Sequence, residues 1–171
     1  MPPGKNRTKL YEFMVRTCSD DLYRYAYRLC GKHDTAQDLV QETFSEAWKS
    51  LDSLRDESKA RSWLYSILRY RNAHLHRERK RSRENEHDPI EFNDVPDNSG
   101  GRDTLEELAD IDSLQKALDR LDGRFKEPFL MVFLEGLTCA AAAEQLGVPL
   151  GTVLSRIHRA RATLREYIGE K

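Results

Sequence analysis

A short segment near the carboxyl-terminal end of the chain carries side chains that could bind a polyanion. At about 100° per residue of an α-helix, its arginine and hydroxyl side chains fall within about 60° of one direction, and its apolar side chains form a separate stripe. The polar face comprises Thr152, Ser155, Arg156 and Arg159, and the apolar stripe comprises Val153, Ile157, Ala160 and Leu164. Because arginine can donate two hydrogen bonds to guanine and hydroxyls suit phosphates or base edges, this face predicts insertion into a DNA major groove.

The charge around this face favours DNA binding over the alternative of an ordinary solvated helix. Residues 151–165 contain four arginines and no acid, whereas solvated faces usually mix both signs. Arg161 and Arg165 lie to the side of the polar face, where contact with backbone phosphate is expected.

The net charge of −1 hides two basic regions and an acidic one. Residues 69–83 contain seven basic residues and one acid, and residues 84–112 contain eleven acids and one arginine. Two basic surfaces on one chain of 171 residues predict a polyanion that is contacted at two places.

Residue types that carry catalysis or bind metals are scattered along this chain. The three cysteines and five histidines lack the close spacing of a zinc site, and an odd number of cysteines does not make a disulfide framework. We therefore predict a protein that is not an enzyme and needs no cofactor or metal. Because no apolar run is long enough to span a bilayer, we also predict a cytoplasmic location without membrane insertion.

Helical spacing dominates on both sides of the acidic stretch. Residues 84–104 combine prolines and paired glycines with few apolar side chains, which is typical of a linker. The sequence therefore predicts an all-α protein with two small helical domains, residues 8–83 and 105–169, joined by an acidic flexible linker.

In the first domain we expect a helix over residues 22–30 and a second helix capped at its start by Asp34 or Thr35. The second helix carries a polar ridge that is separate from its apolar stripe. The ridge comprises Asp38, Gln41, Glu42 and Ser45, and the stripe comprises Leu39, Val40, Phe44, Ala47, Trp48 and Leu51. The ridge suits a basic partner, although the same residues also fit a solvated helix face.

In the second domain, residues 138–164 have the spacing of a helix-turn-helix. Ala143 is small where two helices must approach closely, Gly147 suits the left-handed conformation of a tight turn, and Val153 is an apolar plug from the second helix. Pro149 keeps the chain from continuing as one helix.

Several segments together resemble the extracytoplasmic-function (ECF) group of bacterial RNA polymerase sigma factors. They read TAQDLVQETF from Thr35, AW from Ala47, RSWLY from Arg61 and GTVLSRIHRAR from Gly151. The resemblance covers roughly residues 20–83 and 110–168, in the order of the family's regions 2 and 4. It implies a subunit that directs core RNA polymerase to promoter DNA and opens it, with an anti-sigma factor as an expected inhibitor.

The resemblance also implies which side chains meet each partner. Region 2 is expected to dock on the β′ clamp and to engage the downstream (−10) element, while region 4 binds the β flap and reads the upstream (−35) element. The clamp set comprises Asp38, Leu39, Gln41, Glu42 and Phe44. The downstream set comprises Arg61, Arg69, Tyr70, Arg71, His74 and Arg77, with Tyr65, Tyr70 and His74 as candidate platforms for unpaired bases. The upstream set comprises Thr152, Ser155, Arg156, Arg159 and Arg161.

Three features depart from the family's pattern. Tyr70 stands where asparagine is common near the base-capture loop, residues 139–143 form an apolar run, and Leu154 replaces a frequent basic residue. Leu154 is expected to be exposed, where it could contact a thymine methyl group or a partner protein.

Other functions fit parts of the sequence. A stand-alone regulator would use only the helix-turn-helix and bind duplex DNA without polymerase. A sigma-like decoy would bind an anti-sigma factor and never touch promoters. An enzyme acting on nucleic acid would need a carboxylate or metal cluster outside the linker. The linker itself either mimics nucleic acid in the polymerase channel or contacts the basic domains in the free protein.

Overall fold

The computed structural model describes residues 3–84 and 111–169, which form helices and turns without any strand. The chain divides into two compact units, whose boundary falls between these two ranges. The first unit contains α1 (Pro3–Cys30), α2 (His33–Ser50) and α3 (Ala60–Glu84), with two single-turn 3₁₀ helices, Leu51–Ser53 and Glu57–Lys59, between α2 and α3. The second unit contains α4 (Ile111–Asp119), α5 (Gly123–Phe133), α6 (Cys139–Leu146) and α7 (Leu150–Gly169).

This architecture confirms the all-α prediction for the described ranges. The predicted linker, residues 84–104, lies outside them apart from Glu84, which ends α3. Among the described helices, none combines the length and apolar character that crossing a bilayer requires.

Helix α1 is much longer than the helix predicted over residues 22–30. Its buried side continues towards the amino terminus at spacings of three and four residues, and packs against α2 and α3. The buried stripe comprises Met14, Cys18, Leu22, Tyr25 and Leu29. The prediction missed the first turns because methionine, cysteine and tyrosine occupy much of this stripe, so the usual aliphatic signal is weak.

The predicted cap of α2 is wrong. Gly31 ends α1 with a φ of 70°, and the extended Lys32 then precedes α2 without a side-chain hydrogen bond. Because the chain reverses within these two residues, α2 begins before either predicted cap. Asp34 lies in the first turn of α2, where its carboxylate interacts favourably with the positive end of the helix dipole.

The core of the second unit forms where α6 and α7 cross. Ala142 and Ala143 are buried against Val153 and Ile157, and Met131 of α5 closes this cluster. Small side chains on α6 let α7 approach closely, which confirms the helix-turn-helix spacing seen in the sequence.

The turn between α6 and α7 depends on Gly147. Its φ is 65°, and its backbone N–H donates to the carbonyls of Ala143 and Glu144. The N–H of Val148 also donates to the Ala143 carbonyl at 3.1 Å. These bonds satisfy carbonyls that the end of α6 would otherwise leave unpaired.

We expect Gly147→Ala to lower the free energy of unfolding of the second unit by about 1–2 kcal/mol, because a Cβ atom is disfavoured in the left-handed conformation. Urea denaturation of the full chain, followed by circular dichroism, measures this loss. Trp48 and Trp63 both lie in the first unit, so tryptophan fluorescence reports on that unit and its midpoint is expected to stay unchanged.

Gly151→Ala is the matched control for Gly147→Ala. Gly151 lies inside α7, and apart from the chain neighbours and the backbone of the same helix, no described atom comes within 4 Å of a Cβ atom added at either glycine. Alanine is favoured over glycine in a helix, so this variant is expected to match or exceed the wild-type stability. Equal losses in the two variants would contradict the role given to the turn.

Candidate nucleic-acid interface

The exposed side of α7 carries the polar residues that the sequence pointed to. Val153, Ile157, Ala160 and Leu164 are buried, so this stripe fixes the rotation of the helix. Ser155 and Arg159 are exposed, and Thr152 and Arg156 are half-buried beside them. We call these last four residues the α7 face.

The flank of α7 between the buried stripe and Ser155 is partly apolar. Leu150 and Leu154 are 46% and 50% exposed, and they follow each other at a spacing of one turn. Further along, the Arg161 guanidinium lies 5.8 Å from the centre of the Phe133 ring of α5. At nine residues from Thr152, Arg161 lies about 180° around α7 from it, beside α5 and away from the α7 face, so the expected position to the side of that face is corrected.

On α2, three of the five residues predicted to bind polymerase are exposed. Asp38, Gln41 and Glu42 project into solvent and are called the α2 ridge. Leu39 and Phe44 are buried in the core of the first unit, so a direct contact between these two side chains and a partner is not available in this conformation. The prediction is corrected at these two positions, because they face α1 and α3 rather than solvent.

On α3, four side chains form one exposed line, which we call the α3 line. Tyr70, His74, Arg77 and Arg81 follow one another at spacings of four, three and four residues, and all four are exposed. His74 Nδ1 lies 3.4 Å from Glu78 Oε1. The side chains of Arg79, Lys80 and Arg83 lie outside the described part of the chain.

Two residues that were predicted to contact the downstream element are buried in the first unit. Arg69 is only 7% exposed, and Tyr65 is buried with its ring centre 5.0 Å from that of Tyr25. Neither is accessible to a base or phosphate in this conformation, so both predictions are corrected.

Arg61 faces α1 instead of the α3 line. One of its terminal nitrogens, Nη2, lies 3.1 Å from Asp21 Oδ2 and 3.4 Å from the Tyr65 hydroxyl oxygen. The hydrogen bond to Tyr65 raises the pKa of Arg61. At nine residues from Tyr70, Arg61 lies on the other side of α3, so a single nucleic-acid surface does not include both.

A pocket of about 470 Å³ opens between α2 and α3. Its lining combines flat, charged and hydroxyl side chains: Glu46, Ser50, Ser66, Ile67, Tyr70, Arg71 and His74. Arg71 Nη2 donates to Glu46 Oε2 at 2.7 Å, which joins the two helices across the pocket. The buried Arg71 Nε has no hydrogen-bond partner among the described residues, so one donor beside the pocket is unused.

Sequence reasoning missed Glu46, Ser50, Ser66 and Ile67 as pocket residues. Glu46 and Arg71 are 25 residues apart on different helices, and no spacing along one helix links them. Their opposite charges on two adjacent helices were the only available signal.

The cysteines and acids add no metal centre to the described ranges. Cys18 is buried, whereas Cys30 and Cys139 are half-buried. Within residues 3–84 and 111–169, no group of three histidine, cysteine, aspartate or glutamate side chains is placed to hold a metal ion.

Two family models match the chain, one in each unit. The model for Sigma-70 region 2 matches residues 14–83, and the model for Sigma-70, region 4 matches residues 111–164. Together they cover more than half of the chain, so the chain is a sigma factor of the sigma-70 class.

Individual relatives of known name indicate which group of this class the chain resembles. The chain is 35% identical over 162 residues to the ECF RNA polymerase sigma factor SigE of Mycolicibacterium smegmatis, a match that covers 94% of this chain and 62% of that protein. It is 31% identical over 145 residues to the RNA polymerase sigma factor SigV of Bacillus subtilis, which covers 85% of this chain and 82% of that protein. The chain thus spans less than two thirds of the first relative's length and most of the second's.

A solved structure agrees with these matches. The sigma factor RpoE from Bartonella quintana, crystallised in complex with the anti-sigma factor NepR, superposes with a TM-score of 0.74 at 29% identity, over 94% of this chain and 98% of that chain. The chain belongs to the ECF sigma factors of bacterial RNA polymerase.

Proposed function

We propose that the chain acts as an initiation subunit of bacterial RNA polymerase, which brings the core enzyme to a promoter and opens the DNA there. The observation that carries this proposal is the presence of region 2 and region 4, in that order, on one chain. Each region presents an exposed helix face whose chemistry suits nucleic acid. In this role the chain itself supplies no catalytic group, because RNA synthesis belongs to the core enzyme.

The α2 ridge supports binding to the β′ clamp. Two carboxylates and one amide side chain project from one side of α2, and such a surface complements a basic coiled coil. Leu39 and Phe44 hold α2 in the core and so position the ridge without touching the partner. Region 4 binds the β flap in this proposal.

Reversing both ridge charges with Asp38→Lys and Glu42→Lys is expected to weaken binding to core polymerase about tenfold or more, since like charges then face each other. Fluorescence anisotropy of the labelled full chain, titrated with core enzyme, measures the dissociation constant. The matched control is Glu12→Lys with Asp20→Lys, which makes the same change in net charge at exposed positions of α1. If both double variants bound core polymerase equally weakly, net charge and not the α2 ridge would account for the loss.

The α7 face supports reading of the upstream element. Arg159 and Ser155 are exposed, Arg156 and Thr152 flank them, and residues 151–165 hold no acid that would repel phosphates. Arg161 lies beside Phe133 and away from the α7 face, so we propose backbone phosphate rather than a base edge as its contact.

We expect Arg156→Ala combined with Arg159→Ala to reduce promoter-dependent transcription at least tenfold, because one arginine contact to a base contributes about 1–3 kcal/mol of discrimination. Transcription from a promoter library with reconstituted polymerase measures the loss, and binding to core enzyme is expected to stay at the wild-type level. The control pair is Arg16→Ala with Arg24→Ala, two exposed arginines of α1.

Other outcomes of this experiment favour the alternative functions. Tight duplex binding and regulation without polymerase would indicate a stand-alone regulator. Full activity of the double arginine variant, together with retained binding to an anti-sigma factor, would indicate a decoy.

The α3 line and the adjoining pocket support capture of an unpaired base from the downstream element. Tyr70 offers a flat surface at the pocket, Arg71 lines the pocket beside Glu46, and Arg77 and Arg81 continue the cationic line. Unstacking a base costs free energy, and stacking on an aromatic side chain together with hydrogen bonds offsets that cost. Arg61 and Arg69 have no direct role in this revised interface.

Tyr70→Ala is expected to reduce open-complex formation roughly fivefold to a hundredfold, because stacking of one base contributes about 1–3 kcal/mol. A 2-aminopurine base in the downstream element reports opening, while binding of the closed promoter is expected to change little. Phe13→Ala is the matched control, since Phe13 and Tyr70 are both 62% exposed aromatic side chains. Normal opening by the Tyr70 variant would contradict base capture at this pocket.

The remaining parts of the proposal concern partners and location. By analogy with the complex of RpoE and NepR, an anti-sigma factor holds the chain inactive. The site of action is the cytoplasm, where promoter DNA and polymerase meet. The domain limits 8–83 and 105–169, with the acidic linker 84–104 between them, stay predictions of the sequence.

A further inference from the structure

Leu154 is an exposed leucine on the helix that we place in the major groove. It is 50% exposed, and it lies in the second turn of α7, which begins at Leu150. Residues near the start of such a recognition helix are the ones that meet base edges. Around the helix, Leu154 lies about 100° from the exposed Ser155 and about 60° from the buried Ile157, so in our proposal it lies at one edge of the surface that faces the DNA.

The chemistry of the major groove limits what an apolar side chain can recognise there. Each base presents hydrogen-bond donors or acceptors at its major-groove edge, and among the four bases only thymine also presents a methyl group there. A leucine placed over a donor or acceptor would displace its water without replacing the hydrogen bond, which is unfavourable. Against thymine, the same leucine buries one apolar group against another.

A protein partner explains the exposed leucine less well. The apolar patch on this flank consists of Leu150 and Leu154, and residues 151–165 around it are rich in arginine and free of acids. Two side chains supply only a small part of the roughly 800 Å² that each partner contributes to a stable interface. A polyanion with an apolar group at one position fits both the charge and the size of this surface.

We propose that Leu154 contacts the 5-methyl group of a thymine in the upstream promoter element and thereby specifies thymine at that position. This inference rests on the proposed function, because it requires α7 to lie in the major groove of promoter DNA. Leu154 acts here as a specificity-determining residue beside the arginines of the α7 face.

The experiment removes the methyl group from the DNA and the leucine from the protein. Holoenzyme is reconstituted from core polymerase and the full chain, and the best upstream element is selected from a randomised promoter library. Each thymine of that element, on either strand, is then replaced singly by deoxyuridine, and the dissociation constant of the holoenzyme is measured. We expect one replacement to weaken binding about threefold to fivefold, the effect of exposing one buried methyl group.

The protein variants assign this effect to one side chain. In Leu154→Ala, the same deoxyuridine replacement is expected to change binding by less than about 1.5-fold, because the leucine that contacted the methyl group is gone. Leu150→Ala is the matched control. It removes the other exposed leucine one turn earlier, about 40° closer to the buried stripe, and is expected to keep the full response to deoxyuridine.

Each remaining outcome overturns the inference. Thymine contact is wrong if no deoxyuridine replacement weakens binding, or if the methyl effect persists in Leu154→Ala. A protein contact is the correct assignment if Leu154→Ala leaves promoter binding unchanged and weakens binding to core polymerase or to an anti-sigma factor. Failure of the wild-type holoenzyme to initiate anywhere in the library would instead reject the proposed function, and this inference with it.

Discussion

The packing of α7 against α6 determines the orientation of every side chain that could meet upstream DNA. Ala142 and Ala143 are small enough for Val153 and Ile157 to reach the core, and the left-handed Gly147 sets the short turn between the two helices. Once that stripe is buried, the rotation of α7 is settled, and arginine, hydroxyl and leucine side chains take defined directions from it. The packing of the core is therefore sufficient to orient the exposed side chains of α7.

Four arginines of the described helices show two kinds of surroundings. Arg61 and Arg71 lie close to carboxylates of neighbouring helices, where they join α3 to α1 and to α2. Arg159 instead projects from a helical segment without acids, and Arg77 continues an exposed line on α3. An arginine that is already paired with a carboxylate gains little from a phosphate, so charge alone does not identify the nucleic-acid surface.

Helix α2 connects the two activities proposed for the first unit. The α2 ridge is the proposed polymerase contact, and Glu46, one turn beyond Glu42 and two turns beyond Asp38 on the same helix, holds Arg71 at the pocket between α2 and α3. Because Leu39 and Phe44 anchor this helix in the core, both surfaces keep a fixed relation to each other. Under the proposed function, a rigid α2 that binds polymerase and lines the pocket would let the core enzyme position the base-capturing site.

The sequence by itself determined the helical class, the turn at Gly147 and the polar face of α7, because helical periodicity and a left-handed glycine are local properties of the chain. It did not determine which charged and aromatic side chains stay accessible on α2 and α3. Leu39, Phe44, Tyr65 and Arg69 are buried, and Glu46 meets Arg71 across two helices. Which side chains are buried depends on the rotation of α1, α2 and α3 about their own axes. That rotation is set by the packing of their apolar side chains against one another, which only the tertiary structure shows.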